Sequence, residues 1–432
     1  MSSGKTLERA RKASDNSNDN SGSILNFMAE FGRAYLSSGG PTSRLEEALS
    51  ALGRKLGYPT EVFATPTGIF VSCVSPDGSA HTTLSRIKDG GINLETLCWL
   101  EGIFEDVYDR KITLTQANRI LHSKVMKKPA YTLWQTALAS LLAGFALSYP
   151  AFGRAGAAIV SGVIATATWW ISGPGLKKRV SSSIFRDFIG CIVTLGMAAA
   201  CQIVFPAPFE AYTIGGLIVL VPGLALTTAI AELADQNLVS GTAKLMQAVL
   251  TLLALGLAYL LFQELTASLG VEAMLASARR PQMALPVALG SAVISLGCFG
   301  VIFKVPPRSL IWSTATGILG WVVLRFFSGS QHIAIASYLA SLAVGLVSLA
   351  LGYRFKVPSQ VYSVPGIIAM LPGMLALTSF RSFTMGQESG GIELAFKVAL
   401  TAGSIVFGLF TARIPFVLLL RSGRRGSDQL AY

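Results

Sequence analysis

The pattern of apolar and polar positions changes character near residue 130. Before it, short amphipathic periods alternate. Ile24, Phe27, Met28, Phe31 and Tyr35 fall at helical spacing and predict a helix over 24–37, broken by Ser38, Gly39, Gly40 and Pro41. Ser43 with Glu46 reads as a capping box for a second helix, striped by Leu45, Leu49, Leu52 and Leu56 and ended by Gly57. Glu61–Ala64, Gly68–Val74 and Ala80–Ile87 read as strands, separated by Thr65-Pro66-Thr67 and by Pro76-Asp77-Gly78. Helices are expected over Leu94–Arg110 and from Thr113, where Gln116 completes a second capping box. The order ααβββαα predicts a small α+β domain over 23–129. Residues 1–22, rich in Ser, Asn and Asp, are expected to be a disordered tail without a signal peptide.

After Tyr131 the pattern becomes long apolar runs. Ten are long enough for the hydrocarbon core, which takes about 20 residues: 131–148, 155–172, 187–205, 211–231, 241–262, 284–303, 308–327, 333–353, 358–380 and 395–420. The expected fold is therefore an α-helical polytopic membrane protein of ten transmembrane helices behind a small α+β head. Composition agrees: 52% of residues are hydrophobic and only 13% charged, about half the charge of a soluble domain. Five cysteines at no metal-like spacing predict buried thiols and no disulfide framework. No metal or other cofactor is expected.

Charge supplies the orientation. With the head in the cytoplasm, the inner flanks carry Lys124, Lys127, Lys128, Lys177, Lys178, Arg179, Arg186, Lys244, Lys304, Arg308, Arg354, Lys356, Arg421, Arg424 and Arg425. The outer flanks carry only Arg154, Arg279, Arg280, Arg325, Arg381 and Lys397. Both termini are expected in the cytoplasm, with Arg279 and Arg280 as the main exception. Lys124–Lys128 and Lys177–Arg179, beside spans, read as anchors to anionic lipid rather than to nucleic acid. No Gly-rich phosphate loop is present in the head, which disfavours ATP-driven transport.

The chain also repeats. IGGLIVLVPGLALTTA (214–229) and VPGIIAMLPGMLALTS (364–379) place Pro222-Gly223 and Pro372-Gly373 at an offset of 150, which Gly216/Gly366, Thr228/Thr378 and Gly241/Gly391 keep. A unit of five spans is odd, so a second copy starts on the opposite face, giving two inverted five-helix repeats, 130–263 and 280–421. In secondary transporters with that architecture the substrate site lies at the repeat interface near the midplane. A mid-span Pro frees a carbonyl four residues back, here of Ile218 and Ile368, and Gly lets a ligand approach the backbone. A helix restarted at Gly223 or Gly373 offers N–H groups and a positive dipole end to a carboxylate. The expected substrate site is Pro222, Gly223, Thr227, Thr228, Pro372, Gly373, Thr378 and Ser379. Competing with it is a plain reading, in which each Pro-Gly pair is only a packing kink. Candidate coupling or gating residues are Glu232, Asp235, Lys244, Glu393 and Arg413, the ionisable groups nearest the spans.

With those residues in view, the chain resembles the threonine/serine exporter family. In the head the likeness rests on GRAYLSSGGPTSRLEEAL (32–49), ATPTGIFVS (64–72) and RIKDGGINL (86–94), and in the membrane on the two Pro-Gly spans and VPSQVYSVPG (357–366). The resemblance implies a cytoplasmic N-terminal domain, ten spans in the plasma membrane, and export of threonine or serine driven by the proton gradient. Two-chain relatives imply a dicarboxylate such as succinate as the alternative substrate. The partners expected are a small-molecule substrate and the bilayer, with a homo-oligomer left open and no nucleic acid. A reading from another class makes Ser72, His81 and Asp89 a hydrolase triad in the head. It lacks the Gly-x-Ser-x-Gly elbow, so no enzyme activity is expected. A third reading makes the head a sensor of cytoplasmic substrate.

Overall fold

The computed structural model describes residues 22–75, 77–88, 90–125, 129–205, 207–270, 284–328, 333–384 and 386–423. The expectations for residues 1–21, Pro76, Asp89, Lys127, Lys128, Arg279, Arg280, Arg424 and Arg425 lie outside the described residues. The chain divides into two compact units. One holds the residues up to Pro129 together with the segment Glu232–Ala243, and the other holds Ala130–Ala231 and the chain from Lys244.

The first unit is the α+β head. Helix α1 spans residues 22–37, α2 Thr42–Leu56, α3 Leu94–Tyr108 and α4 Leu114–Val125. Strands β1 (Thr60–Thr65), β2 (Gly68–Val74) and β3 (Ala80–Arg86) form an antiparallel sheet in that order, with Val62 opposite Val71 and Phe70 opposite Leu84. Alternation sends Ile69, Val71 and Cys73 into the core beside Phe27, Met28, Leu49, Leu52 and Leu100. The Thr113–Gln116 capping box forms, each main-chain N–H donating to the other's side chain. The expected box at Ser43 does not. Helix α2 is capped two residues earlier, at Pro41, and Glu46 instead accepts from Ala64 N–H at 2.6 Å, tying α2 to β1. A carboxylate that reaches a strand's donor is lost to its own helix terminus.

The head also buries charge. Arg44 pairs with Glu101 at 3.1 Å, and the Tyr35 hydroxyl donates to the same carboxylate at 3.5 Å. Burial pushes the Glu101 carboxyl up, against the pull of Arg44. It likewise raises the Tyr35 hydroxyl, and takes the Cys98 thiol up to about 12.

The second unit is helical: α5 (Leu133–Phe152), α6 (Ala155–Trp170), α7 (Ser183–Val204), α8 (Phe209–Leu220), α9 (Gly223–Ala234), α10 (Leu238–Ser268), α11 (Leu285–Ile302), α12 (Leu310–Phe327), α13 (Ile333–Phe355), α14 (Gln360–Ile367), α15 (Gly373–Thr384) and α16 (Glu388–Gly423). Among the described residues eight helices are long and apolar enough to cross a membrane, with α8 and α9 taken together over Phe209–Ala234. A ninth arises if the pair Gln360–Met370 and Gly373–Phe383, bent by 42°, is one broken span. Ten were expected. The difference is α5, which covers the first expected run but carries Trp134, Gln135, Tyr149 and Pro150 and is less apolar than the others. The packing is that of membrane helices, with small residues at the crossings. A Cβ on Gly144 would lie 2.9 Å from Gly162 Cα, and Gly215 N–H donates to Ser161 Oγ at 3.1 Å.

The offset of 150 recurs in the backbone. Helices α7 and α13 start at 183 and 333, α9 and α15 at 223 and 373, and α10 and α16 at 238 and 388. The turn after α9 has Gln236 in the left-handed region at φ 63°, and the turn after α15 has Gly386 there at φ 70°. Two of their hydrogen bonds correspond: Gln236 N–H to Leu233 O with Gly386 N–H to Phe383 O, and Asn237 N–H to Glu232 O with Gln387 N–H to Ser382 O. Gly241 backs onto Leu233 as Gly391 backs onto Phe383.

Candidate functional site

The two Pro-Gly breaks meet. Helix α8 stops at Val221, whose N–H donates to Leu217 O, and α9 restarts at Gly223 with Leu226 N–H donating to Pro222 O at 2.9 Å. Helix α14 passes through a short 3-10 turn, Ile368–Met370, before α15 restarts at Gly373 with Ala376 N–H donating to Pro372 O at 2.9 Å. A Cβ on Gly223 would sit 3.2 Å from both Cα and N of Gly373, and one on Gly373 would sit 3.3 Å from Gly223 Cα and 2.8 Å from Val221 Cγ1. The glycine backbones are therefore in van der Waals contact, and no other residue fits there unchanged.

Two helix starts face one another at this point. In each, the N–H groups of the first turn precede the intrahelical ladder, and both dipoles present their positive ends. Around them residues 150 apart share one apolar cluster: Leu226 with Ala376, beside Ala248 and Val398. Leu224 of α9 packs against Ile367, Met370 and Ile405 of the other half. One expected acceptor is spent, since the Ile368 carbonyl takes the Leu371 N–H at 3.3 Å. A 3-10 turn before the second Pro-Gly reclaims what the Pro would have freed.

The four hydroxyls fare differently. Thr227 and Ser379 are buried, Thr228 is half-buried and Thr378 is exposed. Thr227 Oγ1 donates to Gly223 O at 3.1 Å, Thr228 Oγ1 to Ala225 O at 3.1 Å and Thr378 Oγ1 to Met374 O at 2.8 Å. Ser379 Oγ donates to Gly391 O at 2.7 Å, pinning the start of α16. A hydroxyl that donates keeps its lone pairs, so Thr227 and Thr228 can accept from an ammonium or hydroxyl group.

Of the ionisable candidates, Glu393 and Lys397 form an exposed pair at 2.5 Å. Arg413 is exposed, with its guanidinium 4.9 Å from the Phe410 ring, and Lys244 is half-buried. Glu232 is 4% exposed and accepts from Thr42 N–H at 3.1 Å and from the Thr42 hydroxyl. Asp235 accepts from Ser43 Oγ at 3.4 Å. Thr42 gave no signal of this in sequence, because its partner lies 190 residues away. Arg381 was expected only as a flanking charge; its guanidinium lies 4.5 Å from the Tyr259 ring centroid.

The Ser72–His81 pair is not assembled. Ser72 faces outward from the sheet and accepts from Thr82 Oγ1 at 3.0 Å, whereas His81, opposite Cys73, bonds Ser79 Oγ at 3.0 Å. Register puts the two side chains on opposite faces. Ser72 is thus a surface hydroxyl, not the core hydroxyl the strand pattern suggested.

Comparison with known proteins agrees with this architecture. Residues 26–265 and 288–414 match the two family models described as threonine/serine exporter. Among curated proteins, the pheromone-regulated membrane protein 10 of Debaryomyces hansenii is 25% identical over 242 residues, 53% of this chain and 23% of that protein. Its counterpart in Eremothecium gossypii is 24% identical over 244 residues, 53% of this chain and 32% of that protein. The chain thus spans less than a third of the length of either relative. No solved structure matches it significantly. With family models covering most of its length, the head and both Pro-Gly spans included, this chain is a member of the threonine/serine exporter family.

Proposed function

We propose that the chain is a secondary active transporter that exports threonine and serine across the plasma membrane, coupled to the proton gradient. Its ten spans form two inverted five-helix repeats, 130–263 and 280–421, behind a cytoplasmic domain over 23–129, and both termini are cytoplasmic. The observation that carries this reading is the contact of Gly223 with Gly373. Equivalent residues of two repeats touch one another only near the axis that relates them, and such transporters bind substrate at that axis.

The site binds a zwitterion without a side-chain charge in the membrane centre. The carboxylate lies against the first-turn N–H groups of α9 and α15, where two positive dipole ends add. The ammonium and hydroxyl groups donate to Thr227 and Thr228. Because the glycine backbones are already in contact, the breaks part to admit substrate and close behind it. Pinching at two glycines is alternating access at its smallest scale. The test is uptake of labelled threonine, serine and succinate into inverted vesicles, with and without a proton gradient. Gradient-dependent uptake of threonine and serine is expected; uptake of succinate alone would overturn the substrate assignment.

A further inference from the structure

The turn after α9 belongs to the same compact unit as the head, and its chemistry explains why. Helix α2 begins on Pro41, which supplies no side-chain cap. The first N–H groups of a helix need a partner, and here the partner is Glu232, which takes both donors of Thr42. Ser43 reaches Asp235 one turn further on. The approach is held rigidly: Gly91 N–H donates to Ser37 O and Asn93 N–H to Ser38 O, at 3.0 Å each. Gly39, at φ +89°, passes with room for only a hydrogen atom between itself and Gly91 O. The SSGGPT and GGIN segments of the head thus serve as a mount for Thr42. Tyr35 and Glu46 also lie within electrostatic reach of Glu232.

Glu232 lies on α9, the helix that starts at Gly223. Nine residues are two and a half turns, so a hold on Glu232 is a hold on the helix that must move for the breaks to part. The repeat supplies no second hold, since the residue equivalent to Glu232 is Ser382. We propose that Thr42 and Glu232 form a latch by which the N-terminal domain restrains α9, making Glu232 a positioning residue and the domain a brake on transport that releases once per cycle. The proposal rests on the Pro-Gly breaks as the transport site.

The test is a reversible cross-link. In full-length protein whose five native cysteines are replaced, Ser43→Cys and Asp235→Cys are bridged by a short, reducible thiol cross-linker. Threonine transport in proteoliposomes is expected to stop and to return on reduction, while binding of labelled threonine persists. Thr42→Val, which deletes the hydroxyl but keeps the N–H, should raise the initial rate at unchanged KM, by about 10- to 150-fold for one bond to a charged group. Thr42→Ser should behave as wild type. Transport at the full rate in the bridged protein would overturn the latch, as would a loss of rate in Thr42→Val that tracks its content of folded protein. Failure of the site reading is separable, because it appears as normal threonine binding in Gly223→Ala and Gly373→Ala while the bridge still arrests transport.

Discussion

Replacing Gly223 with alanine adds one methyl group where the two Pro-Gly breaks meet. That methyl would lie 3.2 Å from Gly373 Cα, Gly373 N and Leu371 Cβ. Two of the three atoms are backbone at the start of a helix, and they cannot rotate away as a side-chain tip would. Overpacking of this kind costs roughly 1–3 kcal/mol, which disfavours the closed breaks by about 5- to 150-fold. If closure is a step of the cycle, threonine transport in proteoliposomes falls by up to that factor. The reciprocal variant, Gly373→Ala, meets Val221 Cγ1 at 2.8 Å and Gly223 at 3.3 Å, so it strains the same contact. The double variant is then sub-additive, because the first methyl has already parted the breaks that the second would part. Rates are compared in protein purified and reconstituted to equal amounts. Strictly additive effects, or two single variants at the wild-type rate, would refute the claim that these glycines act at one point.

Thr227→Val should weaken threonine binding by roughly 0.5–1.5 kcal/mol, the worth of one hydrogen bond; Thr378→Val, exposed and bonded to its own helix, should change it little, and equilibrium binding separates them. Gly345→Leu should lower the yield of folded protein rather than affinity, since even a Cβ there would sit 2.6 Å from Ala412 Cβ, as size-exclusion profiles will report. Ser72→Ala and His81→Ala should leave transport intact, measured as initial rates, because neither side chain reaches the other. Glu101 has its carboxyl raised by burial, so the folded head binds its proton more tightly than the unfolded chain does. The head should therefore lose stability as pH rises from the ordinary carboxylate range through the raised value, and Glu101→Gln should flatten that part of the melting-temperature profile.

What could be read from sequence was what local chemistry dictates. Pro222 and Pro372 announced their breaks because a mid-span Pro lacks a donor and clashes with the carbonyl four residues back, and their matched spacing pointed to a repeat. Thr113 and Gln116 found each other because a capping box needs only neighbours. The failures share a cause in long-range partners. Glu46 was spent on Ala64, Ile368 was reclaimed by a 3-10 turn, and Thr42 capped its helix with a residue 190 positions away. No periodicity carries such pairings. Nor could spacing reveal that Gly223 and Gly373 touch, which depends on how the halves pack.

The left-handed residue in the turn after α9 is a glutamine, and in the turn after α15 a glycine. Glycine adopts that geometry freely, whereas a side chain there costs on the order of 1–2 kcal/mol. The two turns are thus unequal in energy, the one at Gln236 holding stored strain and the one at Gly386 none. A perfectly symmetric inverted repeat would populate its two facing states equally. The export proposed above would profit from a tilt, since a molecule that rests with a preferred side open meets cargo where cargo is abundant. On the proposed function, the direction of rest is written in such differences, and Gln236 against Gly386 is one of them.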